Sequence, residues 1–303
     1  MGLAPALDVT YGVRAVRVGR IHRPEWVLEL PGGKAVNVAR ALSTLGAEVR
    51  VVVPLGGPNG TAVEEALDRE GIVAAVLPNG AGTRRCVTAL DADTGAATEF
   101  YEPAPPLDAA VLGRLAEVIA AVEGWLVVSG SMPGGTEDEV AGMAAAAERR
   151  GVRVAADVQG VALQALLAQG RPDVVKVNRA EAEDLFGPGD PARLAADLRG
   201  AGARVAVVTD GAEGAVAAAA EGTWRARPGE RGRYAVGSGD CFQAGLVLAL
   251  SRGDDLPRAL ALATSAATAN TRVPGAARFR PTDIAEVAAS VRVEPLRAPS
   301  PSL

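Results

Sequence analysis

Between residues 125 and 214 the chain repeats one phrase four times. A short apolar run meets a cluster of polar or glycine residues, and a stretch long enough for a helix often follows. Trp125–Val128 ends in Ser129-Gly130-Ser131-Met132-Pro133, and Val152–Ala156 ends in Asp157. Asp173–Val177 ends in Asn178-Arg179-Ala180-Glu181, and Arg204–Val208 ends in Thr209-Asp210-Gly211-Ala212-Glu213-Gly214. Runs that are apolar on both faces suit strands covered on both sides, and the helical spacers suit crossover connections. The pattern therefore predicts an α/β fold: a mostly parallel sheet with helices on both faces. In such a sheet, ligands bind at the carboxyl ends of the strands, where these polar clusters gather. Thr136 with Glu139 has the spacing of a capping box for the helix after the first of them.

Two glycine corners stand outside that repeat. In Gly237-Ser238-Gly239-Asp240, two glycines flank a serine, an acid follows, and an apolar helical run begins at Cys241. The glycines let the backbone turn sharply and approach a ligand, and a helix N-terminus attracts an anion. A carboxylate beside such an anion site is the layout phosphoryl transfer needs; equally, Asp240 could serve only as an N-cap. The second corner is Leu30-Pro31-Gly32-Gly33-Lys34, opening a helix that stops near Gly46. A phosphate-binding P-loop is excluded, because Leu28 stands where its first glycine belongs and Ala35 follows the lysine. Gly32 and Gly33 read either as part of a site or as packing alone.

Some segments do not follow the strand–helix alternation. Residues 9–21 and 25–30 read as strands, and Cys86–Asp91 with Ala96–Tyr101 as a hairpin across Ala92-Asp93-Thr94-Gly95. They predict a small β-sheet, residues 9–31 and 83–104, set on a large domain of residues 1–8, 32–82 and 105–303. Within the large domain, Val49–Val53, Thr61–Glu70 and Ile72–Leu77 read as strand, helix and strand, and 257–270 as a further helix. The tail after Val293, with Pro295, Pro299 and Pro301, reads as mobile.

Composition narrows the function classes. A net charge of −5 without a basic block argues against nucleic acid as a partner. No apolar run reaches membrane-spanning length and no secretory leader is evident, so neither a membrane nor export is implied. Cys86 and Cys241 lack metal-ligand spacing and read as reduced thiols of a cytoplasmic protein, Cys241 as a buried small residue. The lone histidine, His22, leaves no multi-histidine metal site and reads as a solvated side chain. Of 31 basic residues only Lys34 and Lys176 are lysines. A compact ammonium suits a crowded phosphate pocket better than a planar fork; its place in a glycine turn marks Lys34 for function, whereas Lys176 reads as chance.

Pro31-Gly32-Gly33-Lys34-x-x-Asn37-Val38-Ala39-Arg40-Ala41-Leu42 together with Val236-Gly237-Ser238-Gly239-Asp240 resembles the two signatures of the PfkB/ribokinase sugar kinases. Pro5-Ala6-Leu7-Asp8, Thr83-Arg84, Ser129-Gly130-Ser131-Met132-Pro133, Asn178-x-x-Glu181 and Gly211-x-x-Gly214 agree in order. Lys34 resembles the branch acting on phosphorylated hexoses, 1-phosphofructokinase and tagatose-6-phosphate kinase. The resemblance implies a ribokinase-like three-layer fold in which the small sheet is a lid, often pairing with its copy in a homodimer. It implies Asp240 as general base and the amides of Gly237, Ser238, Gly239 and Asp240 as an anion hole. It implies Lys34 and Arg84 as clamps for the sugar's own phosphate, and Asp8 and Asn37 as ligands of sugar hydroxyls, with Gly32, Gly33 and Ser131 beside them. Asn178 and Glu181 would orient ATP and Mg²⁺, Glu181 acting on the metal through water. Thr209, Gly211, Gly214, Ala267 and Asn270 would shape the nucleotide pocket, and a monovalent cation is a further option. Ala4, Ala35 and Ala235 depart from the usual Asn, Gly and Thr of the pattern.

These expectations favour ATP-dependent phosphorylation of D-fructose 1-phosphate. The alternatives are tagatose 6-phosphate, fructose 6-phosphate, another sugar, or a catalytically inactive sugar-binding protein. A nicotinamide-binding Rossmann domain is disfavoured, because Phe242 stands where its fingerprint needs a glycine.

Overall fold

The strand–helix repeat builds the frame of the molecule, for which the computed structural model describes residues 1–296. Strands β1 (Ala6–Val13) and β2 (Trp26–Gly32) come first, then helix α1 (Lys34–Thr44). A parallel strand–helix–strand unit follows: β3 (Arg50–Leu55), α2 (Gly57–Arg69) and β4 (Val73–Pro78). The hairpin β5 (Arg84–Asp91) and β6 (Ala97–Tyr101) leads to α3 (Ala109–Ala120). Regular alternation then gives β7 (Trp125–Ser129), α4 (Glu137–Arg149), β8 (Arg153–Asp157), α5 (Gly160–Gln169), β9 (Val174–Asn178), α6 (Arg179–Phe186), α7 (Pro191–Gly200) and β10 (Val205–Thr209). The chain closes with β11 (Ala215–Ala219), β12 (Gly222–Arg227), α8 (Ser238–Ser251), α9 (Leu256–Asn270), α10 (Pro281–Ala288) and β13 (Arg292–Leu296).

The large sheet runs in the order β13-β12-β11-β10-β9-β8-β7. β7 to β10 are mutually parallel, and β11, β12 and β13 extend the sheet antiparallel. The pair β3–β4 is joined to its β7 side through the first residues: Gly2 N donates to Val52 O and Ser129 N to Met1 O, both at 3.1 Å. Successive residues of the central strands point to opposite sides. Val154, Ala156, Val175, Val177, Ala206 and Val208 pack under α4, α5 and α7, while Ala155, Val174 and Val207 pack under α8 and α9. The result is three layers, helix–sheet–helix. Within the second helical layer α8 and α9 approach closely at Gly245, where a Cβ would lie 2.8 Å from the Ala263 Cα.

A second sheet, in the order β2-β1-β5-β6, stands apart from the first, with β1 parallel to β5 and antiparallel to β2. Here the structure corrects the sequence reading. The strand expected over 9–21 starts at Ala6 and stops at Val13, and Asp8 belongs to it. Residues 14–25 form an irregular excursion, with Gly19 at φ 77° and Pro24 unable to donate to a ladder. His22 is half-buried in that excursion and accepts a hydrogen bond from Arg17 N at 2.9 Å. The capping box does not form, because the Thr136 hydroxyl donates to Pro133 O at 2.7 Å instead. The tail expected to be mobile after Val293 is ordered through Leu296, where β13 pairs with β12 and carries Pro295; Pro299 and Pro301 lie outside the described residues.

Candidate active site

A single cavity of about 820 Å³ runs along the carboxyl ends of the parallel strands and under the four-stranded sheet. Both glycine corners open into it, so Lys34 and Asp240 share one cleft. Gly33 is the N-cap of α1 with φ 95°, a conformation that favours glycine. Gly32, at the end of β2, does not line the cavity. It lets the Asp8 carboxylate pack onto the chain, since a Cβ there would sit 2.0 Å from Asp8 Oδ2. Gly237 caps α8 with φ 80°, packed against Ala276.

Asp240 lies in the first turn of α8, buried, and its Oδ2 accepts from Asn37 Nδ2 at 2.8 Å. Burial, reinforced by the Asp157 carboxylate, raises its pKa from 3.8 to about 6, against the pull of Lys176, Asn37 and Lys34. Asp8 is raised to about 7, chiefly by burial, with Arg40 opposing. Two carboxyl groups with pKa near neutrality in one cleft mark a site of proton chemistry. Of the anion-hole amides, that of Ser238 is spent on Ala235 O at 3.1 Å. Those of Gly239 and Asp240 fall in the first turn, where no helical carbonyl precedes them.

The cations are arranged differently from the sequence reading. Lys34 Nζ contacts Asp157 Oδ1 at 2.9 Å and lies 3.7 Å from Glu181 Oε1; Lys176 Nζ contacts Asp157 Oδ2 at 2.6 Å. Lys176, read from sequence as chance, is thus a site residue: it is buried, and a Cβ on Gly239 would come within 2.9 Å of its ammonium. Both lysines of the chain grip the two oxygens of one fully buried aspartate. Burial opposes the charge on Asp157, but Lys176 and Lys34 outweigh it and hold its pKa below the usual carboxylate value. Burial likewise opposes the charge on Lys34, and Asp157 and Glu181 overcome it. Arg84 reaches the cavity from β5 with Nη1 on Glu102 O and Nη2 on Ala4 O, both at 3.0 Å.

At the far end, Asn178 and Glu181 cap α6 reciprocally: Glu181 N donates to Asn178 Oδ1 and Asn178 N to Glu181 Oε2, each at 2.9 Å. Thr209, Gly211, Gly214 and Ala267 line the cavity there, and Ser131 stands exposed at its mouth. Asn270 does not line it. Its Nδ2 holds Val236 O (2.8 Å) and Ser238 Oγ (3.1 Å), and its Oδ1 accepts from Ala277 N (2.7 Å), so it fastens the α8 corner from behind. Cys241 is buried behind Asp240, its thiol pKa raised by burial, as suits an inert packing residue. Sequence reasoning gave no role to Asp157 or Arg40; the place of Asp157 at a strand's carboxyl end and the scarcity of lysine were the signals that led towards the first.

This geometry joins a buried carboxylate at a helix N-terminus to a cationic cluster in one cleft. A family model of pfkB family carbohydrate kinases matches residues 8–283. The chain belongs to the PfkB family. It is therefore an enzyme, a carbohydrate kinase. The 1-phosphofructokinases of Rhodobacter capsulatus and Xanthomonas campestris pv. campestris are each 34% identical to this PfkB kinase. The first match covers 88% of this chain and 87% of the relative; the second covers 95% of both. Among solved structures, phosphofructokinase-2 from Escherichia coli in complex with substrates and products superposes with a TM-score of 0.88 at 27% identity, covering 95% of this chain and 97% of that one. The same protein has been solved in complex with potassium and in a tetrameric inhibited form. Among the described residues of this PfkB kinase, no helix is long and apolar enough to cross a membrane.

Proposed function

We propose that this kinase transfers the terminal phosphoryl group of ATP to a hydroxyl of a phosphorylated ketohexose, D-fructose 1-phosphate before others. The observation that carries the reading is the shared cleft, lined by Arg84 and Asp8 of the small sheet and by Lys34 and Asp240 at the starts of α1 and α8. Asp240 accepts the proton of the attacking hydroxyl; a pKa of about 6 leaves it ionised at neutral pH yet more basic than an ordinary carboxylate. The first-turn amides of α8 and the Lys176 ammonium hold the moving phosphoryl charge. Arg84, with Lys34 nearer the nucleotide, binds the phosphate already on the sugar through charge-assisted hydrogen bonds. Asp8 and Asn37 bind sugar hydroxyls. Two cations facing a neutral sugar would be poorly matched, which disfavours unphosphorylated hexoses.

The donor set fits a magnesium ion held mainly by phosphate oxygens and water. Among the described residues no three His, Cys, Asp or Glu groups form a protein cage, and Glu181 presents one carboxylate at the cavity wall, with Asn178 beside it. When bound, the ion would neutralise charge on the transferring phosphates. Thr209, Gly211, Gly214 and Ala267 shape the nucleotide end.

The four-stranded sheet of β1, β2, β5 and β6 closes as a lid and excludes water from the cleft. Exposed Val16, Val18, Ile21, Val27 and Phe100 on that sheet and its excursion support pairing with a second copy as a homodimer. The enzyme works in the cytoplasm, in keeping with two free, buried cysteines. A coupled ADP-release assay across fructose 1-phosphate, tagatose 6-phosphate, fructose 6-phosphate and free hexoses tests the reading. Preference for fructose 1-phosphate is expected; activity on free hexoses alone would sink it. Repeating the assay without potassium tests the need for a monovalent cation.

A further inference from the structure

Arg40 lies one turn beyond Asn37 on α1, nearly inaccessible at 7% exposure. Its guanidinium makes five contacts. Nε meets Glu70 Oε2 at 2.7 Å and Nη2 meets Glu70 Oε1 at 3.3 Å, reaching the end of α2. Nη2 also holds Pro31 O at 2.6 Å, directly before the Gly32-Gly33 corner. Nη1 holds Ala276 O at 3.2 Å, in the loop packed behind Gly237, and Asn37 Oδ1 at 3.3 Å. A guanidinium has five N–H donors and no acceptor. All five are used, and they fasten both glycine corners to one side chain.

The contact with Asn37 has a directional consequence. Because Arg40 can only donate, the Asn37 amide must turn its oxygen towards Arg40, and its NH₂ group must then face Asp240, as the 2.8 Å contact records. One proton of that NH₂ engages Asp240 Oδ2, and Asp240 keeps Oδ1 for a substrate hydroxyl. Were the amide reversed, two oxygens would face each other across the cleft and the carboxylate would be ill placed to stay ionised.

We propose that Arg40 is a positioning residue for phosphoryl transfer, acting through Asn37 to fix which end of that amide meets Asp240. The proposal rests on the kinase reading above. It assigns Arg40 no contact with substrate; its influence passes through one intervening amide. Asp240 is also faced by Asp157 from β8, Lys176 from β9, Lys34 from α1 and Asp8 from β1; none is substituted, and the loss of the direct pull of Arg40 on Asp8 is common to both backgrounds and cancels in the cycle.

The test is a double-mutant cycle in the full-length protein with R40M, N37A and the pair, read as kcat and KM for ATP and for the sugar phosphate. In the native background R40M should lower kcat about tenfold or more, within the range of coupling between residues in contact. In the N37A background the same change should alter kcat less than twofold, with KM for ATP steady in both. An equal loss in the two backgrounds, or an unchanged kcat in R40M, overturns the proposal. If R40M does not fold, R40Q takes its place in the cycle, because its amide can present an oxygen as readily as an NH₂ group and so no longer fixes Asn37. Wild-type turnover of a fructose phosphate tests the kinase reading separately. Should no sugar phosphate be turned over, the ¹³C carboxyl titration of Asp240 decides Arg40 alone. Its midpoint should rise by roughly one pH unit more on R40M in the native background than in the N37A background; an equal rise in the two, or none, overturns the assignment.

Discussion

Replacing Asp240 by Asn should make the protein slower and more stable at once. The carboxylate is buried, and burial with the neighbouring Asp157 lifts its pKa from 3.8 to about 6. A pKa raised on folding means that the folded state favours the protonated form. That contribution is fully present below the unfolded value and is lost as pH rises through about 6. The shift of about two pH units corresponds to roughly 3 kcal/mol of folding stability forfeited at pH 8. Asn has nearly the same shape. Its amide oxygen can still accept from Asn37 Nδ2, so that donor keeps its partner, and the new NH₂ group takes the place of the carboxylate oxygen not held by Asn37. Asp240→Asn should therefore raise the melting temperature by about 5 °C at pH 8, and the gain should shrink towards zero near pH 4. Over the same change kcat should fall about 10²–10⁴-fold with a modest effect on KM. Calorimetry at the two pH values and steady-state kinetics measure both halves. Near-native turnover would remove Asp240 as the base; a melting temperature unchanged or lowered at pH 8 would refute the electrostatic account of its burial.

Three further outcomes are expected. Because Asp8 and Asp240 are lifted to about 7 and about 6, kcat/KM should begin to fall near pH 7 and drop more than tenfold per unit below pH 6. A pH–rate profile with a single break near 4 would contradict those environments. Arg84→Ala should weaken sugar-phosphate binding by about 1.5–3 kcal/mol, a rise in its KM of tenfold or more, while KM for ATP holds steady. Gly245→Ala places a methyl 2.8 Å from the Ala263 Cα, a clash with backbone that no rotamer relieves. Overpacking of about 1–3 kcal/mol should outweigh the helix propensity gained, lowering the melting temperature without touching KM for either substrate.

The central strands and the two glycine corners were legible because their signals are local. Val174–Asn178 or Val205–Thr209 carries apolar residues on both faces and ends in polar groups, and Gly33 and Gly237 adopt the positive φ that the turns require. β11 was not legible. Its Ala-Val-Ala-Ala-Ala run favours helix by intrinsic propensity, and only burial on both faces between β10 and β12 makes it a strand. β13 was hidden for a related reason, since Pro295 speaks against a strand interior, yet β13 is an edge strand, where proline is tolerated. In the site, Asp240 and Lys34 stood out by their neighbours in sequence. The partnership of Asp157 with Lys176 and Lys34 spans separations of 19 and 123 residues and leaves no local trace. Asn270 was expected to shape a nucleotide pocket; its fastening of the α8 corner was not legible, because its three partners come from other segments.

The pairing of both lysines with Asp157 gives the enzyme an unusual chemical signature. Every side-chain amine in the protein lies in its working cleft, and Lys34 is the more open of the two, at 35% exposure against 5% for Lys176. Reagents that acylate or reductively alkylate primary amines have only these two side chains and the α-amine to act on, and the ion pair with Asp157 that keeps Lys34 protonated should make it react slowly. Bound sugar phosphate or nucleotide should shield it, and coupling the protein to a solid support through lysine should silence the enzyme.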